Sequence, residues 1–141
     1  VVNPWKLLFP FLLVVGLAWA AADPATPVST GREQVLRQRV HERWEALIRR
    51  DLAAAYLFEA PVFRAAYSLE QYQRKFGKGL IWEGAVVDQV LLEGDEAATV
   101  YVNVQYQQAE MIAGEARSFS SLVTEKWIRA DDQWWHVPSS D

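Results

Sequence analysis

The strongest constraint on this chain is a change of hydrophobic period near Gly79. Before it, Leu36, Val40, Trp44, Leu47 and Ile48 recur at the helical repeat, so one face of a long helix must be covered by something else. From Leu80 onward the repeat falls to two, with Val100, Val102, Val104 and Tyr106 alternating with Tyr101, Asn103 and Gln105. A strand-rich half with one apolar face is the cover that the helical half needs. The chain therefore reads as α+β, helices first and an antiparallel sheet after.

Local signals place the elements. Thr30 and Glu33 make a capping box that opens a first helix running to about Arg50, and Asp51 caps a short second helix, Leu52 to Phe58, which Pro61 stops. Ser68 with Gln71 opens a third, Leu69 to Phe76, and Gly77 is expected to end it in the left-handed conformation. Four strands follow, Trp82 to Leu92, Ala98 to Gln108, Ser118 to Arg129 and Trp134 to Val137. Gly94 supplies the first turn, Ala130 to Gln133 the last, and Ala109 to Arg117 a longer loop.

At 141 residues with 51% hydrophobic content, the chain suits one domain, placed at 31–138. Residues 1–22 read as an export signal: Leu7 to Trp19 is apolar, Lys6 precedes it, and small-x-small sites follow at Ala18 to Ala22. The segment 23–30 holds two prolines and reads as a linker. The expected location is the periplasm; retention of Leu7 to Ala22 as an anchor is the alternative, and the only one that brings in a membrane. A net charge of −4, with Arg37, Arg39 and Arg43 interleaved with Glu33, Glu42 and Glu45 as on a solvated helix face, argues against nucleic acid. With no cysteine and only His41 and His136, neither a metal site nor a cofactor is expected.

Three helices followed by a long curved sheet resemble the NTF2-like cone superfamily, with its SnoaL-like and DUF4440 groups. The residues that carry the resemblance are RWEALIRRDLAAAYLFEAPVFRAAYSLEQY, from Arg43 to Tyr72, and EKWIRADDQWWHV, from Glu125 to Val137. It implies a cone whose helices cover the concave face of the sheet around a pocket, and often a homodimer. It leaves the job open, because function lives in the site and not in the fold.

If the valine face of the second strand is interior, parity places Trp82, Val86, Val90 and Leu92, and Phe119, Val123 and Trp127, beside it. Asp88 and Glu125 then point inward as candidate acids, since a carboxylate in an apolar pocket becomes a usable general base. Trp44, Tyr56, Arg64, Tyr67, Trp82 and Trp127 are the expected ligand-lining residues, with Tyr72 a further hydroxyl from the helical half. His41 is expected at the border of the first helix's apolar stripe and His136 at a strand edge, while Tyr101 and Trp135 on the outer face would suit a second subunit. The expected role is a binding or accessory module for a small apolar ligand or a partner protein. A ketosteroid-isomerase-like enzyme using Asp88 or Glu125, and an anchored subunit of a larger complex, are the alternatives. Intact-mass measurement of the secreted protein should find the mature chain starting near Asp23; recovery of residues 1–22 in the membrane fraction would establish the anchor instead.

Overall fold

A computed structural model of the chain describes residues 30–109 and 116–139. Residues 1–22, where an export signal is expected, nearly all of the expected linker, and the middle of the loop between the second and third long strands lie outside these residues. Four helices come first, α1 (Gly31–Ile48), α2 (Leu52–Tyr56), α3 (Pro61–Ala66) and α4 (Leu69–Arg74). Four strands follow, β1 (Leu80–Glu93), β2 (Ala97–Ala109), β3 (Ala116–Ala130) and β4 (Gln133–Val137), paired in chain order as one antiparallel sheet.

Side-chain caps form at all three expected helix starts, though at the first only the Thr30 half of the box is made and the Glu33 carboxylate turns to Arg37. Thr30 accepts from the Glu33 amide, Asp51 from that of Ala54, and Ser68 and Gln71 complete a reciprocal capping box. Two helix signals resolve differently from expectation. The second helix ends at Tyr56, well before Pro61, and Pro61 starts a further one, because its fixed φ and missing N–H suit the first helical position. Gly77 is not left-handed; among the described glycines only Gly94 has positive φ, in the β1–β2 turn. The left-handed helix end falls instead on Arg50 (φ 60°), where Asp51 N–H bonds to Ala46 C=O and Arg50 N–H to Leu47 C=O, both ends of a Schellman motif. The Arg50 guanidinium then reaches the carbonyls of Gly77 and Leu80, tying the end of α1 to the start of the sheet.

Asp131 and Asp132 both take positive φ in the β3–β4 turn, the geometry of a tight hairpin whose twist matches the strands it joins. The outer edge of β4 is not left bare. Ala60 N–H bonds to His136 C=O and His136 N–H to Phe58 C=O, so the short link between α2 and α3 lies along β4 as one more bridge.

Val100, Val102 and Val104 are buried against Leu36, Val40, Trp44 and Leu47 of α1, so the valine face does look toward the helices. The pattern on β1 is shifted by two bulges. Glu83 and Asp88 are each an extra residue in the ladder, one between the Trp82–Tyr106 and Gly84–Gln105 pairs, the other between Val87–Val102 and Gln89–Tyr101. Each bulge reverses which face the next side chain takes. Ala85 and Val87 therefore face inward where Val86 was expected, and Val86 lies opposite Asn103, 60% exposed.

Candidate functional site

The interior of the cone holds an ionic cluster built on Arg43. This residue belongs to the sequence Leu36, Val40, Arg43, Leu47, spaced four, three and four apart, and so lies on the buried stripe of α1 instead of the solvated face assigned to it above. The residue is 6% exposed and its guanidinium contacts two carboxylates: Nε donates to Glu59 Oε1 at 3.1 Å and Nη1 to Glu125 Oε1 at 2.9 Å. Glu59 comes from the α2–α3 link and is fully buried; Glu125 comes from the centre of β3, opposite Val100. The Tyr72 hydroxyl of α4 donates to Glu59 Oε1 at 3.1 Å, and Nδ1 of His136 lies 2.6 Å from Glu59 Oε2. The indole N–H of Trp127 donates to Glu125 Oε2 at 2.9 Å.

Every oxygen of the two acids thus has a partner, which is the condition for keeping such groups out of water. Burial alone would raise the Glu59 carboxyl, but the hydrogen bond with His136 and the Arg43 charge outweigh it and hold Glu59 below the ordinary carboxylate range. Burial disfavours the charged form of Arg43, yet the facing charges of Glu125 and Glu59 prevail and raise it, so the cation is locked. Desolvation also pushes the Tyr72 phenol upward, keeping it a neutral donor.

The expected site residues divide. Glu125 is interior, as parity required. Asp88 is exposed, because it is itself a bulge residue and the interior face passes to Val87 on one side of it and Val90 beyond. Tyr56 does not present its hydroxyl to a pocket; it donates to the carbonyls of Arg64 and Tyr67 and so closes the α3 turn. Arg64 holds the Glu59 carbonyl through Nε, and its guanidinium stacks on Trp135 from 5.2 Å, with Arg39 5.4 Å from the same ring. Tyr67 is 45% exposed and stacks on Phe63, 4.8 Å between ring centres. Trp44 and Trp82 meet edge to face at 5.9 Å, and Trp82 continues through Phe76 to Tyr72 in a chain of ring contacts that ends at the ionic cluster. Trp127 is buried on Glu125.

The open space lies elsewhere, between α1 and the β1 edge of the sheet, as a groove of about 460 Å³. From α1 come Gln34, Arg37, Gln38, His41 and Trp44, a single helix face. From the sheet come Ala85, Val86 and Val87 with Val102 behind them. His41, expected at the border of the apolar stripe, stands exposed on the rim, whereas His136 is buried and not at a solvated edge. No group of three or more metal-ligating acids or histidines occurs among the described residues.

No family model and no curated protein matches the sequence. Solved structures do match. The solution structure of a SEC-C motif containing protein from Rhodopseudomonas palustris superposes with TM-score 0.53 at 14% identity, over 71% of this chain and 73% of that one. The CaMKII hub homology domain of Chlamydomonas reinhardtii superposes with TM-score 0.52 at 16% identity, over 75% of this chain and 93% of that one. The fold is NTF2-like. Identity at this level speaks to architecture, and the NTF2-like cone is shared by proteins of many activities.

The depressed Glu59 pKa has a definite sign. A carboxyl held lower in the folded state than in the unfolded chain contributes stability above its ordinary pKa of 4.5 and loses it as pH falls toward the folded value. Urea midpoints measured from pH 7 down to pH 3 should fall steeply below about pH 5, and Glu59→Gln should flatten that slope while lowering stability at pH 7 by about 3–5 kcal/mol. An unchanged acid slope in the variant would remove Glu59 from the account.

Proposed function

We propose that the chain is an exported, non-catalytic binding or accessory module whose α1–β1 groove holds a small ligand with an apolar body. The observation that carries this reading is the groove itself. Its volume of about 460 Å³ falls within the roughly 300–1,000 Å³ typical of small-molecule sites. Trp44, Ala85, Val87 and Val102 give it an apolar floor and the α1 side chains a polar rim.

The interior acids weigh the same way. Glu59 and Glu125 have each oxygen occupied by a donor or by His136, so proton transfer by either would require Arg43, Tyr72 or Trp127 to let go first. A SnoaL-like enzyme acting through Glu125 or Asp88 is therefore the weaker reading. Homodimer formation through the outer sheet face is favoured by the exposed Val86, Leu91 and Leu122 on that side, next to Tyr101, and by the likeness to a hub homology domain. Export to the periplasm rests on the character of residues 1–22.

The neutral fluorescent probe N-phenylnaphthylamine tests the groove. Wild-type protein should bind it saturably, and Ala85→Phe, which fills the floor, should weaken binding about tenfold or more without lowering the unfolding midpoint. Equal affinity in the two proteins would place the ligand site elsewhere.

A further inference from the structure

The rim of the groove carries a chemical preference that its apolar floor does not. The chain has 18 acidic and 14 basic residues, and most of the acids fall in the strand half, yet no carboxylate lines this groove. Its two ionisable lining residues are Arg37 and His41, one turn apart on α1.

Arg37 is held in place from two sides. Its Nε donates to Glu33 Oε1 at 2.9 Å and its Nη1 reaches the Val87 carbonyl at 3.4 Å, across the groove on β1. Nη2 has no partner among the described residues. Glu33 is the charge opposing this site: it offsets part of the Arg37 charge, but it also fixes the guanidinium plane, so that little side-chain freedom is lost when a ligand binds. His41 makes no hydrogen bond, ion pair or ring contact among the described residues, and the Gln34 amide is equally uncommitted. Three donor-bearing side chains with spare capacity thus stand above a floor of Trp44, Ala85 and Val87.

We propose that the groove selects small organic anions with a flat apolar body, such as aromatic carboxylates. The body lies on the Trp44 and Val87 floor, and the carboxylate accepts from Arg37 Nη2 with His41 and Gln34 beside it. This rests on the binding reading above and adds the charge of the ligand to it. A guanidinium already held by a carboxylate and a protein carbonyl beside an apolar floor is an oriented, charge-assisted donor, to which a carboxylate binds more strongly than a neutral isostere.

Isothermal titration with naphthalene carboxylate and its neutral isostere naphthalene carboxamide separates the two levels of the proposal. Wild-type protein should bind the carboxylate about tenfold more tightly than the carboxamide. Arg37→Met, which keeps an aliphatic stem, should abolish that preference and leave the carboxamide affinity unchanged. Raised salt should weaken only the carboxylate. Equal affinities in wild-type protein would overturn the anion preference and leave the apolar groove standing. Absence of binding by both compounds would overturn both readings. Far-ultraviolet circular dichroism melts confirm that each variant is folded at the titration temperature.

Discussion

Arg43 is the one lysine or arginine buried in the core among the described residues, and the fold is arranged so that its charge is answered from three directions. Glu125 answers it from the sheet, Glu59 from the link between two short helices, and Tyr72 from α4 through Glu59. Elements from the helical half and from the sheet are thereby joined at one point. α2, α3 and α4 have five or six residues each, too short to be stable by themselves, and depend on being held to something larger. His136 extends the same connection to β4, whose backbone is already bridged to the Glu59 segment on both sides.

Such a cluster is a costly way to fill a core. Buried ion pairs gain less than their Coulomb energy implies because both charges must leave water, whereas the loss of one partner strands the others. What the cluster provides is a single admissible arrangement: only with Glu59, Glu125, His136 and Trp127 all in place are the guanidinium of Arg43 and both carboxylates answered. The aromatic chain from Trp44 through Trp82 and Phe76 reaches it at Tyr72 and places apolar rings on that side of it. This closed interior and the open α1–β1 groove are separate regions that meet at α1, which supplies Arg43 to one and Arg37, His41 and Trp44 to the other.

The placing of helices before strands, the four strands and the interior valine face could be read from periodicity, because burial of one sheet face leaves a strict alternation that few other constraints disturb. The β1 bulges could not, since Glu83 and Asp88 are ordinary strand-face residues until the ladder is known, and this is why Asp88 was expected inside. Arg43 was legible in principle. It fills the third position of the 36, 40, 43, 47 stripe, but its charge made it resemble its solvated neighbours. Glu59 left a signal too, as the one acid in the apolar run from Leu52 to Phe63, and its partner His136 could be recognised only once the link was seen to lie along β4. Of the aromatic candidates, Trp44 lines the groove, Trp82 and Trp127 belong to the core and Tyr67 is exposed, while the other α1 residues of the groove are polar ones that their character marks as surface.

The central claim is that Arg43 and Glu125 stabilise the fold as a pair and not as separate residues. A double-mutant cycle of Arg43→Met and Glu125→Gln, read by urea unfolding at pH 7, addresses it directly. Each single variant should lose about 3–5 kcal/mol by stranding its partner, and the double variant should lose at least about 1.5 kcal/mol less than the sum of the two. Strictly additive losses would mean that the two side chains act independently and that the fold is not organised around their contact.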